Sequence, residues 1–282
     1  MRKLLERLIV FFVGGPLILS LIYYLPHYNF LAYHILIITA GILANSEMYN
    51  LLSQKIKCYP KNILSFFGSA LIIISYISGF KLFPQAYIIH GFWVLTLLII
   101  SSEIIFSFGG IFTESIIRIM TGVFMFVYPW GLLVYFSAAT VLPYANKAIL
   151  TFFLMSFSCD SIAWLFGMLF GGTNRGFIKA SPKKSIAGFI GGYAGSITAA
   201  IGVYFLFKEF KLFLPQLIII AVLIATAAII GDLIESILKR TAEIKDSGQV
   251  IVGRGGILDS IDSLLFAAPV FYVSFKFFAG GF

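Results

Sequence analysis

Residues 231 to 263 read GDLIESILKRTAEIKDSGQVIVGRGGILDSIDS, and the side chains in this stretch are those of metal and phosphate chemistry. It holds six of the chain's 12 Asp and Glu and four of its 20 Lys and Arg. If the apolar helix leading into it continues, Asp232, Glu235, Ser236 and Lys239 share one face, lying three, four and seven residues from the first. Asp259 and Asp262 are likewise i and i+3 and share a face if a helix starts there. Carboxylates are hard oxygen donors that suit Mg²⁺ far better than zinc. A capping role at a helix start accounts for Asp259 or Asp262 singly, but not for several carboxylates gathered with so many cations. Between them, glycines at 248, 253, 255 and 256 interrupt any regular helix and bare backbone N–H groups, as a phosphate-cradling loop does. No G-K-[ST] follows, so this is not a Walker loop. Lys239, Arg240, Lys245 and Arg254 supply the several cations that a polyphosphate needs.

A second segment, GGTNRGFIKASPKKSIAGFIGG (171–192), offers Ser181 as a helix cap with Pro182 in the first turn, an arrangement that attracts anions. Lys183 and Lys184 add two charges to it. Asp160 sits about midway along the apolar run TFFLMSFSCDSIAWLFGMLF. An ionisable group at membrane depth costs at least ~2.5–3.5 kcal/mol and is expected to have a task there. The plainer alternative is a buried carboxyl hydrogen-bonded to its neighbours. Carboxylates for metal, with cations and amides for phosphate, suit phosphoryl or nucleotidyl transfer between a soluble nucleotide and a lipid phosphate.

The elements that must position these groups are membrane helices. With 60% hydrophobic and 11% charged residues and a mean hydropathy of +1.00, 282 residues cannot cover a soluble globule with polar surface. A hydrocarbon layer about 30 Å thick needs roughly 20 apolar residues in a helix. Such runs predict an all-α, polytopic integral membrane protein with about nine spans, at 7–25, 28–45, 62–80, 86–106, 115–139, 147–172, 186–207, 213–236 and 263–279. The first is read as an uncleaved span, because no A-x-A-like site follows its long apolar part. Residues 1–140 are expected to form the anchoring and dimer scaffold, and residues 141–282 the catalytic region. With nine spans, 15 of the 20 Lys and Arg fall on one side, against Lys81, Lys147, Lys208, Lys211 and Lys276 on the other. The positive-inside bias makes the first side cytoplasmic. The net charge of +8 then answers to anionic lipid headgroups, with no call for nucleic acid. Cys58 in a short basic loop and Cys159 within a span are not expected to meet.

Residues 236–262, SILKRTAEIKDSGQVIVGRGGILDSID, resemble the signature of the phosphatidate cytidylyltransferases (CDP-diacylglycerol synthases), roughly S-x-x-K-R-x(4)-K-D-x-G-x(3)-P-G-H-G-G-x-x-D-R-x-D. Gly231-Asp232, CDSIAWLFG at 159–167 and SPKKSIAGFIGG at 181–192 also look like that family's motifs, in matching order. The resemblance implies a nine-span homodimer that joins CTP and phosphatidate into CDP-diacylglycerol and pyrophosphate, working at the cytoplasmic face of the inner membrane. It implies a paired Mg²⁺ and K⁺ centre on Asp232 and Asp259, with Asp262 and Asp160 in support, and Lys239 acting with the three C-terminal aspartates in catalysis. Ser181, Lys183, Lys184, Ser236, Arg240, Lys245, Asp246, Gly253, Arg254, Gly255 and Gly256 would surround the substrates. The chain departs from the signature at Val252, Arg254 and Ser260, where the family has Pro, His and Arg. Arg254 binds phosphate but does not transfer protons near neutral pH. The competing classes are a CTP-dependent polyprenol or lipid kinase, a secondary transporter and a catalytically weakened family member. The clustering of charge at one surface, and not at the midplane, speaks against the transporter.

Overall fold

The structure is a computed structural model that describes residues 13–80, 86–106, 112–179, 181–251 and 255–279. Among these residues the chain is helical, with two isolated β-bridges and no strand. The helices are α1 (Gly15–Tyr24), α2 (His27–Leu52), α3 (Lys61–Ser78), α4 (Ala86–Phe106), α5 (Phe112–Phe126), α6 (Leu132–Ala138), α7 (Ala145–Phe170), α8 (Ile186–Leu206), α9 (Leu214–Thr241) and α10 (Leu258–Phe278). Among the described residues, seven stretches are long and apolar enough to cross a bilayer, one of them Glu114–Val141, which joins α5 and α6. Gly15–Tyr24 and Ile88–Ser102 are shorter apolar helices. This is an all-α, polytopic integral membrane protein. Large side chains such as Trp93, Leu97 and Leu98 on α4 are exposed, as lipid-facing groups are.

The part that carries the charged motifs is built around α7, α8, α9 and α10, each packed on the next. Small residues let α7 and α8 approach closely. A Cβ at Gly191 or Gly195 would strike Phe166 or the Ser158 carbonyl of α7. Ser196 Oγ then donates to the Ala221 carbonyl at 2.9 Å, fastening α8 to α9 inside the bundle. On the other side, Pro129 cannot donate to the helix ladder, and the chain passes between α5 and α6 through a π turn, Val127–Gly131. That turn drives the fully buried Trp130 against Gly41 of α2 and Gly68 of α3.

The eighth expected span, 213–236, continues as helix to Thr241, and the ninth starts at Leu258, ahead of the expected 263. Lys239 and Arg240 in the last turn of α9 suit the negative end of the helix dipole. The end itself is a Schellman pattern: Ile244 N donates to the Lys239 carbonyl (3.0 Å) and Glu243 N to that of Arg240 (3.1 Å). Glu243 takes the left-handed position with φ 58°. Both cysteines are free, Cys159 buried and Cys58 half-buried.

Candidate active site

The continuation of α9 places Asp232, Glu235, Ser236 and Lys239 on one face, as their spacing requires, and α10 brings Asp259 and Asp262 across from them. Lys239 Nζ lies 2.6 Å from Asp259 Oδ1 and also pairs with Glu235, one turn earlier on its own helix. All three side chains are enclosed: Glu235 is 0% exposed, Asp259 6% and Lys239 14%. Lys239 is therefore one cation shared by two buried carboxylates. Glu235 Oε2 pairs with Lys239, the Glu235 carboxyl lies beside that of Asp259, and Oε1 has no donor among the described residues.

A second acidic group adjoins the first. Asp262 is buried, takes the Ser263 N–H at 2.6 Å, and lies within electrostatic reach of Asp232, Asp160 and Glu235. Asp232 is half-buried and paired with Lys184 at 2.5 Å, and Ser236 Oγ stands 3.5 Å from its Oδ1. Residues from α7, α9 and α10 and from the segment before α8 thus meet at one end of the bundle. Lys184 thereby brings the 171–192 segment to the 231–263 segment.

The expected cap is corrected. Ser181 does not begin a helix; its carbonyl accepts from Lys184 N (3.1 Å), closing a turn that contains Pro182. Ser185, in extended conformation, caps α8 instead, its Oγ accepting from Gly188 N at 3.0 Å. A bridge between Arg175 and Ser185 holds the two ends of the segment together. The shift moves Lys184 next to the helix start and aims it at Asp232, while Lys183 stays exposed. Arg240, Lys245 and Asp246 are exposed around the rim. Gly253 and Arg254, and the substitution at Val252, lie outside the described residues. Gly255 has φ 108°, a conformation that favours glycine, and forms a narrow bridge with Ile251.

Asp259 binds amides of the loop that precedes its helix. Its Oδ2 accepts from Ser247 N and Gly256 N, both at 2.8 Å, while Oδ1 holds Lys239. The donor set around it suits a hard divalent cation in kind, with several carboxylates and one orphaned buried oxygen on Glu235. In arrangement, Lys184 and Lys239 stand where such a cation would: among the described residues no three His, Cys, Asp or Glu side chains converge on a metal-sized gap. At Asp259 an ion would have to displace Lys239.

Two residues of the first half reach this site, and neither drew notice in the sequence. Tyr128, presented by the π turn, packs on Phe266 of α10 with ring centroids 5.7 Å apart. Its buried hydroxyl has no partner among the described residues and lies within electrostatic range of Asp262, Glu235 and Asp232. Glu47 of α2 accepts from Ser247 Oγ, Ile257 N and Leu258 N, each at 2.9 Å. The only available signal was a lone Glu in an otherwise apolar run.

Outside the helices the charged end carries simpler pairs. The Lys55 ammonium lies 2.8 Å from Glu243 and, by that hydrogen bond, holds its carboxyl below the usual range. Burial raises the Cys58 thiol above its ordinary value.

A model of the cytidylyltransferase family matches residues 5–278. A phosphatidate cytidylyltransferase of Thermotoga maritima is 40% identical over 133 residues, covering 43% of this chain and 46% of that protein. Proteins of the same name from Staphylococcus saprophyticus (38% over 122 residues; 43% and 46%) and a Synechocystis strain (38% over 124 residues; 42% and 41%) are similar to a like extent. Each alignment spans somewhat under half the length of the curated relative. The match over nearly the whole sequence takes in every helix that meets at the acidic end, and on it the chain belongs to the cytidylyltransferase family.

Proposed function

We propose that the protein transfers the cytidylyl group of CTP to phosphatidate, releasing pyrophosphate and leaving CDP-diacylglycerol in the membrane. The observation that carries this reading is the meeting of Lys184 and Lys239 with carboxylates of α7, α9 and α10 at one end of an apolar bundle. A lipid phosphate and a soluble nucleotide can both reach such a place. A phosphatidate phosphate oxygen forms a new bond to the α-phosphorus of CTP, and the bond from that phosphorus to the oxygen bridging to the β-phosphorus breaks. No covalent enzyme intermediate is needed, so the protein's part is positioning and charge neutralisation.

Lys184 and Lys239 are the cations best placed to meet phosphate oxygens, each released from its carboxylate as the anion arrives. Lys183, Arg240 and Lys245 at the rim draw the nucleotide in. Mg²⁺, the expected cofactor together with K⁺, would supply neutralisation of the triphosphate at Asp232, Asp262 and Asp160. The remaining proposals are that the charged end faces the cytoplasm at the inner membrane, that two copies form a homodimer, and that Ser181, Ser236, Asp246, Gly253, Arg254, Gly255 and Gly256 contact substrate.

Purified protein in phosphatidate-containing vesicles with Mg²⁺ and radiolabelled CTP tests the reaction. Label from the α-phosphate is expected in lipid, and none from the γ-phosphate. Lipid labelled from the γ-phosphate would make the protein a lipid kinase, and no lipid label from either position would remove the transferase reading.

A further inference from the structure

Glu47 is a carboxylate buried in a span, 6% exposed, with no lysine or arginine paired to it among the described residues. Among the described residues it is held by neutral donors alone, and these come from the two ends of one loop. Ser247 Oγ donates from the start of the loop, and Ile257 N and Leu258 N from its end, where α10 begins. The fit is close. A Cβ at Gly248 would lie 2.5 Å from Glu47 Oε1, and one at Gly256 would overlap Oε2. Two glycines whose spacing suggested room for a phosphate therefore leave room for this carboxylate.

The same short backbone is gripped from its other side by Asp259, which takes Ser247 N and Gly256 N and holds Lys239. Glu47, Ser247, Asp259 and Lys239 thus form one continuous chain of hydrogen bonds from α2 to the cation on α9. The ties at Ser247 and at Gly256–Leu258 keep the amides at those positions and the neighbouring lysine at fixed aim, which lowers the ordering cost of binding an anion there.

We propose that Glu47 is a positioning residue for the nucleotide: by clasping both ends of the 247–258 loop it makes CTP binding depend on a helix of the first half of the chain. The proposal rests on the CTP reading above, and its test separates the two. Glu47→Gln keeps the shape but sets an NH₂ against donors that need an acceptor. It is expected to raise KM for CTP at least about tenfold, the scale of one hydrogen bond to a charged group. KM for phosphatidate should change little, a modest fall in thermal midpoint should accompany the donors left unpaired, and Glu47→Asp should recover part of both losses. Ser247→Ala removes a single bond and should shift KM for CTP in the same direction by a smaller factor.

Hydrogen exchange reads the clasp without turnover: peptides covering 245–258 should exchange faster in Glu47→Gln than in the parent protein. Equal exchange would overturn the clasp. An unchanged KM for CTP, or a parallel loss in both KM values, kcat and thermal midpoint, would overturn the positioning role. A parent protein that transfers no label, yet shows the exchange difference, would remove the transferase reading and leave the clasp standing.

Discussion

Lys184 and Asp232 form an ion pair of 2.5 Å between the segment before α8 and the face of α9, half-open to the surroundings. It joins two segments that the sequence separates by two spans, and it is the contact a phosphate can replace most readily. A lysine that neutralises a carboxylate at rest can neutralise a substrate phosphate in turn.

Lys184→Met and Asp232→Asn are therefore expected to abolish measurable cytidylyl transfer, by at least about 100-fold, the scale lost when one charge-stabilising group is removed. The protein should still insert and elute as the parent does. Transfer at a near-parental rate in either variant would remove that residue from the site.

Lys239→Met leaves Glu235 and Asp259 enclosed without their shared cation. Breaking a buried pair in this way costs about 3–5 kcal/mol, so a clear fall in thermal midpoint is expected along with loss of turnover. Asp259→Asn should abolish turnover with a smaller loss of stability, because an amide oxygen can still accept from Ser247 N and Gly256 N. Similar midpoints for parent and Lys239→Met would show that the pair is not enclosed.

Tyr128 carries a buried hydroxyl without a partner among the described residues, and removing such a group relieves a penalty of about 1–3 kcal/mol. Tyr128→Phe should raise the thermal midpoint while slowing transfer, the opposed signs expected where a polar group is kept for function. If both quantities stay put, the hydroxyl does nothing at the site.

Gly195→Leu tests the close approach of α7 and α8, since any side chain at 195 meets the Ser158 carbonyl. Parting these helices moves Asp160, so both midpoint and turnover should fall. A tolerated leucine would mean that the two helices do not pack as described.

The Glu243 carboxyl, lowered by Lys55, gives a prediction for pH. A carboxyl with a depressed folded value stabilises above its unfolded value of about 4.3 and loses that contribution as pH falls through the folded one. The midpoint difference between the parent and Glu243→Gln should be constant from pH 6 to 8 and close in the acid range. A difference that varies between pH 6 and 8 would assign the pair a different titration.

Much of this protein is readable along the chain. Apolar runs of bilayer length dictate membrane helices, because lipid leaves backbone groups no other partner. The spacing of Asp232, Glu235, Ser236 and Lys239 dictates one polar face, because helix geometry is local. Which serine caps α8 was not legible: Ser181 and Ser185 both suit the role, and the choice fell to the Pro182 turn and the Arg175–Ser185 bridge. Nor was the use made of the carboxylates. Asp259 serves the loop amides and Lys239, and Glu47 crosses 200 residues to reach Ser247. Residue type and spacing determine what chemistry a segment can offer, whereas the partner each charge finds is set by how distant helices pack, and only the tertiary structure decides that.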